Sequence, residues 1–185
     1  MNQTLPVAQQ AAAVRSGEQV LDLACGTGEL LSRIAKETPG AERIGVDLSP
    51  KMVERARAKL ADEPNTHVER ADAHDLPFAD DTFDVVVCAN TFHYFTHPEQ
   101  VLREVRRVLR PDGRLVLLDW CRDFWTCRLM DAVLQYVDPA YETCYTRAEL
   151  MTFLERASFE GPDAFRYRFD VVWGMMVVTA RPSSA

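Results

Sequence analysis

The sequence predicts an α/β fold: a doubly wound, mostly parallel sheet of seven strands with an antiparallel edge strand and helices on both faces. Three observations predict it. Short apolar runs alternate with amphipathic helical stretches between residues 20 and 119. A glycine turn, Gly26-Thr27-Gly28, joins the first run to the first helix. Two β-rich runs near the C-terminus stand too close together for a crossover helix between them.

The elements follow in order. Residues 5–13 form a short helix leading into the first strand, Val20 to Leu23, and only about two dozen residues precede the glycine turn, which leaves little room for an N-terminal lid. After the turn, Leu30, Leu31, Ile34 and Ala35 form the inner face of a helix. Arg43 to Asp47 is a second strand that ends on an acid. Ser49 then serves as N-cap with Pro50 at the first helical position, and Met52, Val53, Ala56 and Leu60 share one side of the helix that follows. Thr66 to Arg70 is a third strand, trailed by Ala71-Asp72-Ala73 and a loop, His74 to Asp81. Phe83 to Ala89 is a fourth, more apolar strand, expected at the centre, and Asn90 is its polar end.

A helix over 98–109 carries Val101, Leu102, Val105, Val108 and Leu109 at helical spacing, with Arg103, Glu104, Arg106 and Arg107 on a solvated face. Arg110 to Gly113 reads as a turn and Arg114 to Asp119 as the fifth strand. Residues 120–163 break the alternation with two helices, near 124–137 and 146–157, and hold Trp120, Phe124, Trp125, Tyr136, Tyr141 and Tyr145. Ala164 to Val172 and Trp173 to Thr179 complete the sheet as an antiparallel pair.

The chain of 185 residues is expected to form a single domain over 1–185, and its 47% hydrophobic content suffices for a core. No apolar run approaches the roughly 18 residues of a spanning helix and no charged-then-apolar leader is present, so the expected location is the cytoplasm. Five cysteines without a C-x-x-C pair suit reduced thiols, and no metal is expected. A formal charge of -7 offers no basic footprint for nucleic acid. A small molecule is the expected ligand, bound by a monomer or homodimer.

Four strand ends share one edge of such a sheet: the loop from Asp22 to Gly28, Asp47, Asp72-Ala73, and Ala89-Asn90. Ligands of open doubly wound sheets bind beyond the carboxyl ends of the strands, so these segments are expected to face one elongated ligand. Glycines admit a ligand close to the backbone, and the helix N-terminus beyond them favours an anionic group.

The stretches VLDLACGTGEL, IGVDLSPKMVERAR, ADAHDLPFADDTFDVVVCANTFHYF and VLREVRRVLRPDGRLVLLDW closely resemble the class I S-adenosylmethionine-dependent methyltransferases, in particular the branch of ubiquinone and menaquinone biosynthesis enzymes and small-molecule methyltransferases. The resemblance spans roughly residues 18 to 120 and implies a Rossmann-like fold, S-adenosyl-L-methionine as cofactor and methyl transfer to a small-molecule acceptor. It implies that Asp22, Ala24, Cys25, Gly26, Thr27 and Gly28 surround the methionine part. Asp47, with Leu48 beside it, would hold the ribose hydroxyls. Asp72 and the backbone of Ala73 would read the adenine, Met52 would pack on it, and Asn90 would wall the methionine amine. Ala24 replaces the first glycine of the family's commonest pattern, a mild departure. Segment 120–163 is expected to face substrate.

His93 and Tyr94 follow the fourth strand, where the acceptor is expected, and are the candidate catalytic pair; His93 could take a proton from a hydroxyl or amine, against the plainer reading of a hydrogen-bonded loop histidine. His74 and His97 carry no argument beyond proximity. Asp22 is expected to accept backbone N–H bonds as well as border the cofactor.

Three alternatives accompany this reading. A catalytically silent cofactor-binding protein shares every feature of the cofactor site. A nicotinamide-dependent oxidoreductase would need a third glycine at position 31, where the residue is Leu31. Thiolate binding of a soft substrate such as arsenite, as in cysteine-bearing members of the superfamily, would have to use Cys121, Cys127 and Cys144, whose spacing matches no defended motif.

Overall fold

The structure is a computed structural model that describes residues 4–168 and 173–183. Its elements run α1 (Leu5–Ala12), β1 (Gln19–Leu23), α2 (Glu29–Glu37), β2 (Glu42–Asp47), α3 (Pro50–Lys59), β3 (Thr66–Arg70), β4 (Phe83–Ala89), a 3-10 turn (Phe92–Tyr94), α4 (Pro98–Val108), β5 (Leu109–Trp120), α5 (Trp125–Val137), α6 (Arg147–Arg156), β6 (Phe159–Arg168) and β7 (Gly174–Pro182). The strands form one seven-stranded sheet in the order β3-β2-β1-β4-β5-β7-β6. Strands β1 to β5 pair in parallel, and β7 runs antiparallel to both β5 and β6. The order reverses between β1 and β4, the switch point at which such sheets open a crevice.

Alternation along the central strands sorts side chains between two apolar layers. Val85 and Val87 of β4 and Val116 and Leu118 of β5 pack with Ala8 and Ala12 of α1 and Leu30 and Ile34 of α2. Phe83, Val86, Cys88, Leu115 and Leu117 turn to the other side, against Val101, Leu102 and Val105 of α4 and Leu150 and Leu154 of α6. On the first side α3 adds Val53, Ala56 and Leu60 against Leu31 and Val68. Each large side chain withdrawn from water in this way contributes about 1.5–3 kcal/mol before entropy is counted.

Three sequence expectations change. The turn expected at Arg110–Gly113 is the irregular start of β5: Phe83 pairs with Leu109 and Val85 with Arg114, so the extra residues bulge out of the ladder. Strand β6 begins at Phe159, earlier than expected, and the expected junction at 169–172 lies outside the described residues. The arginines of α4 are not all solvated, because Arg107 donates to the carbonyls of Leu76 (3.0 Å) and Phe78 (2.7 Å) and pairs with Glu104 and Asp80. It pins the loop that follows Asp72.

A second arginine fixes the N-terminal helix. Arg114 Nε donates to Ala12 O (2.7 Å) and Nη2 to Ala13 O (2.9 Å), while both Nη atoms meet the Glu18 carboxylate at 2.9 and 2.8 Å. Two carbonyls at the end of α1 thus find the charged donor they lack within the helix. Burial opposes ionisation of Glu18, but hydrogen bonds from Arg114 and the Arg15 backbone prevail and hold its carboxyl below the usual range. A lowered acid stabilises the fold above the ordinary carboxylate pKa and loses that contribution as pH falls. Arg114→Met is expected to cost about 2–3 kcal/mol at pH 7. In denaturant titrations the gap between wild type and variant narrows below about pH 4.

Candidate active site

The carboxyl ends of β1, β2, β3 and β4 open on two adjoining cavities. The larger, about 770 Å³, is walled by residues 46–49, by Ala71 to His74 and by Thr91, Tyr94 to His97, Gln100 and Ala140. The smaller, about 140 Å³, lies at the β1/β4 switch point between Leu5, Asp22, the loop 24–27, Glu29, Leu30 and residues 89–91. Ala24 and Thr91 border both.

The loop between β1 and α2 is held from β2. Asp47 Oδ2 accepts the Gly26 N–H at 2.8 Å and Oδ1 accepts the Ser49 N–H at 2.9 Å, while Cys25 N–H donates to Val46 O at 2.9 Å. Two of the roughly four lone-pair sites of the Asp47 carboxylate remain for a ligand. Gly26, at φ 55°, would set a Cβ in open space, so it leaves the small cavity clear. Gly28 does different work from that expected: it lines neither cavity, and at φ 73° a Cβ there would stand 2.7 Å from Leu60 Cδ1 and 3.2 Å from Ala56 Cβ. It lets α2 start close against α3.

Ala24 takes φ 56° and Asn90 φ 58°, the left-handed region. For Ala24 that costs about 1–2 kcal/mol, so the replaced glycine is more than a neutral variant. Asn90 is buried and exchanges hydrogen bonds with Thr4, its Nδ2 donating to Thr4 Oγ1 at 3.0 Å. With Leu5 on the wall of the small cavity, the start of α1 reaches the site, where little room for an N-terminal lid was expected.

Asp22 departs from expectation as well. It is buried, yet its Oδ2 meets no hydrogen-bond donor among the described residues. Burial first, and then the Asp47 charge, push its pKa up to about 8. Asp72, half exposed, is held by His74: its Oδ1 accepts the His74 N–H at 2.9 Å and lies 2.7 Å from His74 Nδ1. Hydrogen bonds from the His74 backbone and ring keep its carboxyl below the usual range. Ala73 and exposed Leu48 line the large cavity, whereas Met52 lines neither and offers its backbone N–H to the Ser49 cap at 3.4 Å.

The candidate catalytic pair splits. Tyr94 lines the large cavity. His93, 1% exposed, lies beneath it, its Nδ1 2.7 Å from Asp119 Oδ1 and its backbone N–H donating to Asp119 Oδ2 at 2.9 Å. Its ring stacks on Trp120 at 4.2 Å, its carbonyl accepts the Glu142 and Thr143 N–H groups, and its Nε2 is buried without a partner among the described residues. The acceptor-edge position expected for His93 is therefore not the one it occupies. His74, His97, Phe95 and Gln100, which sequence reasoning did not single out, stand on the cavity wall instead.

A family model described as a methyltransferase domain matches residues 20–113, just over half the chain. The chain belongs to the class I S-adenosylmethionine-dependent methyltransferases. It is similar to the demethylmenaquinone methyltransferase of Thermotoga maritima, 44% identical over 102 residues that make up 55% of this chain and 43% of that protein. It is similar too to a 37.1 kDa protein of transposon Tn4556 from Streptomyces fradiae, 46% identical over 112 residues, 57% of this chain and 32% of that protein. The matched region spans less than half of either relative. The fold matches that of YcgJ from Bacillus subtilis, with a TM-score of 0.84 at 19% identity over the whole of both chains.

The cofactor implied by the family is S-adenosylmethionine. The methyltransferase fits it on one observation in particular: an unpartnered, buried carboxylate oxygen on the wall of the small cavity asks for a cation, and the methionine end of that molecule carries an ammonium.

Two measurements follow from the strain and charge of the site. Ala24→Gly is expected to raise unfolding free energy by about 0.5–1 kcal/mol, the relieved strain less the extra chain entropy; unchanged or lower stability in denaturant titration contradicts it. A raised acid binds more protons folded than unfolded, so wild-type stability should fall between about pH 4 and pH 8 through Asp22. Asp22→Asn removes that slope, a difference on the order of a few kcal/mol between melts at pH 5 and pH 9.

Proposed function

We propose that the chain transfers the methyl group of S-adenosylmethionine to a small-molecule acceptor that shares the large cavity with the adenosyl part, on its Tyr94 and Ala140 side. The observation that carries the proposal is the convergence of Asp22, Asp47 and Asp72, from the ends of three neighbouring parallel strands, on two cavities joined at Ala24 and Thr91. In this reading the loop 22–27 and Asn90 hold the methionine end, Asp47 takes the ribose hydroxyls on its remaining lone pairs, and Asp72 with Ala73 reads the adenine. When bound, the cofactor supplies a methyl group on a positively charged sulfur, already activated for displacement.

The protein's task is then alignment and exclusion of water. Orientation of two reactants can supply about 7–11 kcal/mol, against roughly 3–5 kcal/mol for a general base. His93, out of contact with both cavities, acts in this proposal as a positioning residue: held by Asp119, it carries Tyr94 on one side and, through its carbonyl, the 142–143 backbone on the other. Segment 120–163 belongs to the acceptor side, since Ala140 stands on the cavity wall and Tyr94 Oη lies 3.5 Å from Asp138 Oδ2. The relatives named for demethylmenaquinone make a planar ring a fitting acceptor class, and Tyr94 and Phe95 offer it aromatic faces.

Asp47→Ala should weaken adenosylhomocysteine binding by about 10–100-fold, the worth of charge-assisted hydrogen bonds lost to the ribose. Isothermal titration calorimetry on variant and wild type checks this, and equal affinities would remove Asp47 from the site. Transfer of label from radiolabelled S-adenosylmethionine into a low-molecular-weight fraction of cell metabolites tests turnover; binding without transfer would leave a silent binder.

A further inference from the structure

Two donors of one residue meet on a single oxygen of Asp72. The His74 backbone N–H donates to Oδ1 at 2.9 Å, and His74 Nδ1 lies 2.7 Å from the same atom. The first bond needs only the main chain and is open to any residue at this position except proline. The second is what histidine adds. Asp72 Oδ2 meets no donor among the described residues, so it is the oxygen of this cavity-wall carboxylate left for a ligand.

The far side of the ring decides which nitrogen carries the proton. The His97 N–H donates to His74 Nε2 over 3.4 Å. A ring nitrogen that accepts holds no proton, so in the neutral ring the proton sits on Nδ1 and is donated to Asp72. A backbone amide at the start of α4 thus fixes the tautomer that Asp72 requires. The same helix holds His74 by a second bond, from Gln100 Nε2 to His74 O at 3.0 Å, and the ring stands edge-on to Phe95 and His97, 6.0 Å from each. The ring is 21% exposed where the Asp72 side chain is 50% exposed, so the more buried group steadies the less buried one. A carboxylate half in water and free to turn would charge its lost rotamer entropy to any ligand that needs one orientation; two donors on one oxygen remove that freedom in advance.

We propose that His74 is a positioning residue for base selectivity: by holding Asp72 Oδ1 it aims Oδ2 at the 6-amino group of the adenine and so favours adenosyl over inosyl ligands. This rests on the reading in which Asp72 meets the adenine. The discrimination is one of sign. An ionised carboxylate only accepts, so it suits an amino group at the purine 6-position and repels a carbonyl there.

The test is calorimetric titration of the full chain with S-adenosylhomocysteine and with S-inosylhomocysteine, in which a carbonyl replaces the amino group. Wild type should prefer the adenosyl ligand by about 10–100-fold. His74→Ala, which keeps the backbone bond and loses the ring, should cut that preference about tenfold, through weaker adenosyl binding with inosyl affinity within about twofold of wild type. His74→Asn, whose side-chain amide can present a donor where Nδ1 stands, should restore most of it. General damage to the cavity would weaken both ligands in proportion and leave their ratio unchanged; that result overturns the proposal, as does failure of His74→Asn to restore the ratio. Asp72→Ala separates the two layers of inference. A preference lost in Asp72→Ala but kept in His74→Ala removes His74 alone, whereas a preference kept in both, or a wild type that binds neither ligand, removes Asp72 from the adenine and His74 with it.

Discussion

The contact on which the site depends is the one between Asp47 and the backbone of the first loop. A strand-end carboxylate that accepts N–H groups from Gly26 and Ser49 joins three things at once: the glycine turn after β1, the end of β2 and the start of α3. Without it the turn would have only the Cys25 N–H to Val46 O bond to fix it against the neighbouring strand. The carboxylate therefore has two tasks, and its geometry serves both, because backbone donors occupy one side and leave the other toward the cavity. That is how a loop with two left-handed glycines and a left-handed alanine is held against the end of β2.

Much of this was legible from the chain alone, and the reasons are local. The seven strands and their sense follow from apolar runs of strand length spaced by amphipathic helices, and the edge on which Asp22, Asp47, Asp72 and Asn90 meet follows from parallel pairing. What was not legible depends on long-range partners. Nothing in the periodicity of α4 distinguishes Arg107, which holds the 76–80 loop, from Arg103 on the solvent side, because their difference lies in carbonyls some 30 residues away. The bulge at the start of β5 was hidden because Pro111 and Gly113 are as compatible with a turn as with an interrupted ladder. Thr4 at the Asn90 side chain is separated from it by 86 residues and had no sequence signal.

Position 93 shows the limit of reasoning from residue type. A histidine just past a strand end, at the expected acceptor edge, invites a proton-transfer role, but the chain gives it Asp119 as partner and closes Trp120, Tyr94 and Tyr141 around its ring. Asp119 in turn is satisfied by the His93 N–H and ring and by the Trp120 N–H at 2.7 Å. The pair fixes the ring through Nδ1 and leaves Nε2 buried without a partner among the described residues, away from the walls of both cavities. The pair ties the end of β5 to the 3-10 turn, and the turn carries Tyr94 to the cavity.

Asp22 and α5 make the same physical point from opposite directions. Folding leaves Asp22 buried beside another carboxylate, with an oxygen unmatched, and its ionisation is suppressed as a result. Folding leaves α5 with Asp131 satisfied inside and its large apolar side chains in water. In each case the isolated chain retains a free-energy cost that it cannot discharge through its own described residues. A cation at Asp22 would restore the charged carboxylate, and an apolar surface at α5 would bury those side chains. Selection tolerates such costs where binding removes them, because whatever binds only the folded state returns the deficit as stability. The two costs lie at separate places, the switch point of the sheet and the outer face of a helix after β5, so relief of one leaves the other in place.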